Sequence, residues 1–232
     1  MKKRKQKDLS MSKNPRFTKS EEVANSISHG LGTILAIVAL ILLIEKAHTM
    51  WTISHLLWAI VFWIGLILLY FSSTLNHALP IGTRGKDFFH NFDQISIYFF
   101  IAGTFTPLCL LALQGRQARG LLALERWIAL IGICSRIFKP MDFENGVNTI
   151  NIISYSLMGG IMFCFIPNLS HIIELQWVFL LCCGCCIYAL GIIAFKLERL
   201  KYAHFIRHLV VLIGSFFHFF AIHQYILPIE LL

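Results

Sequence analysis

The chain has 232 residues, of which 57% are hydrophobic and only 14% charged, with 20 Phe and a mean hydropathy of +0.70. An average soluble domain carries about 25% charged residues, so this composition excludes an ordinary soluble fold and points to a polytopic membrane protein. The net charge of +8 comes from Lys and Arg gathered at the N-terminus and between apolar runs. It reads as a set of topology signals and contacts to anionic lipid, with no nucleic acid as partner.

In chain order, residues 1–20 form a basic tail that is expected to be disordered, cytoplasmic and retained. Met1-Lys2-Lys3-Arg4-Lys5 has the charge of a signal-peptide start, but no apolar run follows until about Ile27 and no small-residue cleavage site appears. Residues 21–232 are expected to form one all-α domain, an integral membrane bundle of seven transmembrane helices. A bilayer core needs about 20 apolar residues per span, and candidates lie at 27–45, 53–77, 92–113, 121–138, 149–167, 175–195 and 204–227. Glu125 and Arg126 interrupt the fourth and must sit near the interface or pair with each other or a neighbour. Lys and Arg fall mainly in the N-terminal, second, fourth and sixth connections, which sets the N-terminus in the cytoplasm and the C-terminus outside.

Pro80 to Gly85, Pro140 to Gly146 and Pro167-Asn168 read as turns. Pro107 removes a backbone donor inside the third span, which predicts a kink whose freed carbonyl is met by a hydroxyl or water. The seven cysteines all lie in apolar segments, so no structural disulfide is expected. Cys182-Cys183-Gly184-Cys185-Cys186 spreads its thiols over more than one helix face in hydrocarbon, where small packing residues are the better reading than thiolate ligands. His48, His55, His90, His171 and His223 fall in loops or near interfaces and need no special role.

Ionisable residues inside a membrane usually mark function. His204 and His208 are four apart and share a helix face about one turn apart, which suits two imidazoles reaching one metal ion. In the topology above, the second span ends on the same side with Ser73 and His77, and the third begins there with Asp93. Three neutral imidazoles with a fourth position open are the pattern of a catalytic zinc site. Asp93 then serves as a base or relay for the water that zinc acidifies to a pKa of about 7; the alternative is that it snorkels or pairs with Arg207. Glu22, Asn25 and His29 share one face of the first span and either orient the ligands by hydrogen bonds or seal the helix start. His218 is about 15 Å farther along its helix than His208, too far to share the ion, and reads as a bundle-facing hydrogen-bonding residue.

Four stretches, taken together, resemble a known family. They are Glu22-x-x-Asn25-x-x-Ser28-His29-x-x-Gly32, Ser73-x-x-x-His77, Asp93 through Tyr98 to Ile101-Ala102-Gly103-Thr104-Phe105-Thr106-Pro107, and His204-x-x-x-His208 leading to Gly214-Ser215-Phe216-Phe217-His218-Phe219. They resemble the bacterial hemolysin III family, which is similar to the progestin and adiponectin receptor family and, more distantly, to alkaline ceramidases. The resemblance covers about residues 20 to 227. It implies a seven-helix bundle in the bacterial inner membrane with zinc as cofactor near the cytoplasmic face. Its ligands would be His77, His204 and His208, with Ser73 and Asp93 around the reacting water.

The function expected from these readings is zinc-dependent hydrolysis of a lipid amide or ester in membrane lipid homeostasis, with a ceramide-like or fatty-acyl lipid as partner. Two alternatives stand beside it. One is a receptor-like sensor of lipid state with structural zinc; the other is a pore-forming cytolysin, as the family label suggests.

Overall fold

The computed structural model describes residues 17–50, 53–140, 149–169, 171, 174–193 and 200–226. Among them the ordered structure is helical: α1 Lys19–Met50, α2 Ile53–Ala78, α3 Arg84–Pro107, α4 Gly115–Phe138, α5 Thr149–Ile161, α6 Leu175–Ile193 and α7 Ala203–Ala221. Each expected span overlaps one of these helices, although α1 at Lys19 and α3 at Arg84 each begin eight residues before the expected start and α4 at Gly115 begins six before. The expected tail boundary at residue 20 therefore falls in the first turn of α1. The remainder of that tail, residues 1–16, and most of the Pro140 to Gly146 turn lie outside the described residues.

Among the described residues, five helical stretches are long and apolar enough to cross a membrane: Lys19–Glu45, His55–Ala78, Arg84–Leu113, Leu175–Ile192 and Ala203–Tyr225. The α5 region, Thr149–Cys164, is apolar but shorter. α4 carries Arg116, Arg119, Glu125, Arg126 and Arg136. Helices adjacent in sequence pack against each other around the bundle, and α7 closes it against α1. Outward faces are oily, as a lipid-facing surface requires: Val23, Ile27, Leu31, Ile34, Val38 and Ile41 recur at helical spacing on α1 and all are exposed.

Helix starts and stops follow local chemistry. Thr18 and Glu21 form a reciprocal cap at α1, with the Glu21 backbone N–H 3.3 Å from Thr18 Oγ1 and the Thr18 backbone N–H 2.9 Å from Glu21 Oε2. Thr83 caps α3 by accepting from the Lys86 backbone N–H at 3.2 Å. α2 and α3 pack most closely of all because two glycines let their backbones approach. A Cβ on Gly65 would stand 3.0 Å from Phe100 Cα, and one on Gly103 would stand 3.1 Å from the Val61 carbonyl oxygen. Phe62, Trp63, Leu66, Leu69, Phe100 and Phe105 fill the apolar core around this seam.

At Pro107 the regular α-helix ends and the chain continues as a wider π-helical turn, Leu108–Leu113. Thr106 donates to the Ala102 carbonyl at 3.0 Å, one residue before the carbonyl that Pro107 leaves without its usual partner. Glu125 and Arg126 point to different faces, about 100° apart on the helix. Arg126 is exposed, whereas Glu125 is fully buried and neither of its carboxylate oxygens has a hydrogen-bond partner among the described residues. Pairing of the two with each other, one of the arrangements expected from sequence, does not occur.

Candidate metal centre

The buried polar residues gather at the end of the bundle where α2 stops and α3 and α7 begin. His77 from the last turn of α2 meets His204 and His208 from the first two turns of α7, and one ring nitrogen from each lies within 4.8 Å of the others. His77 and His208 are buried and His204 is half-buried. The ring centroids are 4.8 Å apart for His77 and His204, 5.0 Å for His77 and His208, and 4.6 Å for His204 and His208. The Phe17 ring covers the cluster, 4.8 Å from His204 and 6.0 Å from His77.

The partners of the outward ring nitrogens determine which nitrogens face inward. His77 donates from Nδ1 to Glu22 Oε2 at 2.5 Å, leaving the Nε2 lone pair turned to the cluster. His208 shares its Nδ1 hydrogen between the Asn25 carbonyl oxygen at 3.1 Å and Ser28 Oγ at 3.0 Å. The Ser28 hydroxyl in turn donates to that same carbonyl at 2.8 Å. A carboxylate or carbonyl on the far nitrogen is the usual support of a metal-ligating histidine. His204 differs. An Arg207 guanidinium nitrogen lies against its Nδ1, and a guanidinium can only donate, so the ring hydrogen sits on Nε2, which faces His77 Nε2 at 3.1 Å. Two rings thus present lone pairs as they stand. The third holds a cation only in its other tautomer, with Arg207 turned aside.

α1 supplies the surroundings of all three rings. Besides His77, Glu22 accepts from Lys86 Nζ at 2.9 Å, and Lys86 also donates to the Asn76 carbonyl. His29 stacks face to face on His208 with centroids 3.5 Å apart. Glu21 accepts from the Tyr202 backbone N–H at 2.8 Å, fixing the left-handed residue that caps α7 just before His204. Asp93 is buried beside the cluster. Its Oδ2 accepts from Asn76 Nδ2 at 3.0 Å, and its carboxylate lies within hydrogen-bonding reach of Ser73. Ser73, His77, Asp93, His204 and His208 are therefore all brought together, with Glu22, Asn25 and His29 around them.

Several contributors escape a sequence reading. Lys86 counts as a topology charge from sequence, yet it is 1% exposed and paired with Glu22. Asn76 and Ser28 are ordinary helix polars until their partners are known. His55 and His90, expected near interfaces, are buried on α2 and α3. His218 is buried in the bundle as expected, with Nε2 3.3 Å from the Leu181 carbonyl oxygen and 3.7 Å from Cys185 Sγ. All seven cysteines are free.

The fold and the site define an integral membrane protein of packed helices with a buried tri-histidine cluster at one end, able by its donor set to hold a metal ion. Residues 17–219 match the family model described as Haemolysin-III related, and the chain belongs to that family. It is 36% identical to Hemolysin-3 of Bacillus cereus over 218 residues, 94% of this chain and 97% of that protein. It is 33% identical over 216 residues to the Hemolysin-3 homolog of Bacillus subtilis, covering 93% of this chain and 99% of the relative. The human monocyte to macrophage differentiation factor is 26% identical over 211 residues, 89% of this chain and 84% of that protein. The last match supports the relation to the progestin and adiponectin receptor family.

Proposed function

We propose that the chain is a zinc-dependent hydrolase of lipid amides or esters in the bacterial inner membrane, with seven spans, a cytoplasmic N-terminus and an external C-terminus. The observation that carries this reading is the convergence of three ring nitrogens within 4.8 Å, two of them with the far nitrogen held by Glu22 and by the Asn25 carbonyl. His77, His204 and His208 would hold the ion. When bound, zinc supplies Lewis acidity toward a carbonyl oxygen and makes water a nucleophile near neutral pH.

The remaining work belongs to the protein. Asp93, buried and hydrogen-bonded by Asn76, would accept a proton. Ser73 can orient a water or donate to a developing oxyanion. Phe17 and the apolar outer faces limit bulk water around the cluster while admitting a lipid chain. The polar groups at this end meet a headgroup, and the oily flanks meet its acyl part. Membrane lipid homeostasis is the role such a reaction would serve.

The test is metal analysis of purified protein. About one zinc per chain is expected in wild type, with loss in His204→Ala and His208→Ala; wild type purified without chelator and still metal-free would refute the reading. Lipid profiling of cells with wild type or His208→Ala then separates a hydrolase from a sensor in which zinc is structural. The name of the Bacillus cereus relative, Hemolysin-3, suggests a third reading, lysis of red cells. Dye release from liposomes that is equal in wild type and His208→Ala would favour it.

A further inference from the structure

A second cluster, away from the histidines, is rich in hydrogen-bond donors and short of acceptors. Arg136, in the last turn of α4, is 2% exposed, and none of its three guanidinium nitrogens has a hydrogen-bond partner among the described residues. Among the described residues, the groups within electrostatic range of it are Tyr155, Tyr98 and Asp93. Both tyrosine hydroxyls are engaged elsewhere: Tyr98 meets Ser154 Oγ at 2.7 Å and Asn151 Oδ1 at 3.4 Å, and Tyr155 donates to the Gln94 carbonyl at 2.7 Å. Asp93 accepts from Asn76 and forms no ion pair with Arg136. Asn151, 1% exposed, adds a further donor without a partner, its Nδ2.

A guanidinium cannot shed its proton to escape burial, as a lysine or carboxylate can. The carbonyl end of α4 offsets part of the charge but leaves the hydrogen bonds unmade. Gln94 Oε1 is an acceptor without a partner on α3, but it is neutral and not within bonding distance. Buried polar groups are ordinarily satisfied, and an anion with at least two oxygens would satisfy this set in the fork geometry a guanidinium prefers.

The surrounding surface indicates where such an anion comes from. Trp127, Leu130, Ile131, Ile137 and Phe138 on α4 are exposed, and so are Ile150, Ile153 and Leu157 on α5. A ligand reaching Arg136 between these helices passes apolar surface that suits an acyl chain.

We propose that Arg136, with Asn151, binds the oxyanion of a membrane lipid, either the phosphate of an anionic headgroup or the carboxylate of a free fatty acid. The site requires neither the metal nor turnover, so it stands or falls separately from the hydrolase reading.

The test uses the full chain, purified in neutral detergent and melted with added dioleoylphosphatidylglycerol, oleate, the neutral methyl oleate, or inorganic phosphate. Phosphatidylglycerol or oleate is expected to raise the melting temperature of wild type by several degrees. Arg136→Gln should lose that shift and Arg136→Lys should keep part of it. Native mass spectrometry of wild type should show about one anionic lipid retained per chain, which keeps the test valid if Arg136→Gln does not fold. Which of the two amphiphiles acts tells headgroup phosphate from fatty carboxylate.

Equal shifts in wild type and Arg136→Gln would overturn the proposal, as would an equal shift from methyl oleate or a full reproduction of the shift by inorganic phosphate. Zinc content, measured on the same samples, should be unchanged in Arg136→Gln.

Discussion

Glu22 supports the cluster without belonging to it, so Glu22→Gln separates support from ligation. The carboxylate makes two contacts, to His77 Nδ1 at 2.5 Å and to Lys86 Nζ at 2.9 Å, and only 14% of its side chain is exposed. Breaking a buried ion pair from one side costs about 3–5 kcal/mol, because the remaining charge is left uncompensated. Lys86 keeps the Asn76 carbonyl, and glutamine keeps one oxygen at the site, so the loss here should be about 2–3 kcal/mol. The effect on the metal is separate. Removing a carboxylate that supports a ligating histidine lowers metal affinity about 10- to 100-fold.

Thermal melts in excess chelator measure the first effect, and zinc competition against a chelator of known affinity measures the second. A Lys86→Met change on top of Glu22→Gln removes the stranded ammonium and should recover most of the stability while leaving zinc affinity low. If zinc affinity in the single variant matches wild type, or recovers fully in the double variant, then Glu22 holds Lys86 alone and His77 does not depend on it for orientation.

Asp93→Asn should keep about one zinc per chain yet lower any lipid hydrolysis by roughly 10²- to 10⁴-fold, the usual weight of a positioned base; parallel metal analysis and lipid turnover check it, and unchanged turnover would remove Asp93 from that role. Gly65→Leu places a side chain against the α3 backbone, where a Cβ alone already stands 3.0 Å from Phe100 Cα. It should destabilise the bundle by about 1–3 kcal/mol or more, read as a lower melting temperature, whereas Gly120→Ala, with open space in front of it, should change little. Glu21→Ala removes the carboxylate half of the reciprocal α1 cap and the tie to the Tyr202 backbone. About 1 kcal/mol of stability should be lost with the cap, and hydrogen exchange at the start of α7 should quicken.

Helix positions are legible in the chain because spans must be about 20 apolar residues long and their breaks are marked by Pro, Gly and charge. The meeting of His77 with His204 and His208 is legible for a related reason: alternating spans force the end of α2 and the starts of α3 and α7 to one side. What stays hidden is which charges are buried. Lys86 and Arg84 are two residues apart and alike in a list of basic residues, but one is inserted between Glu22 and the Asn76 carbonyl while the other is exposed. Arg136 likewise counts as a loop-flanking charge until helix packing turns it inward. The tautomers are equally hidden, since they depend on which backbone carbonyl or side chain reaches each outward nitrogen.

Those outward nitrogens explain why α1, which contributes no ring to the cluster, carries so many polar residues in its first three turns. Glu22 holds His77, the Asn25 carbonyl and Ser28 hold His208, His29 lies flat on His208, and Glu21 fixes the entry to α7. These contacts act on two of the rings and on the segment leading to the third, so the helix serves as a common brace for residues drawn from α2 and α7. His204 is the exception, since the neighbour recorded at its Nδ1 is Arg207, one turn along its own helix. A site with two rings held from α1 and one held from within α7 changes state most easily at the third. Admitting a cation then turns on His204 and Arg207, and removing the guanidinium, as in Arg207→Gln, should tighten zinc binding by about tenfold by taking a positive charge off the site.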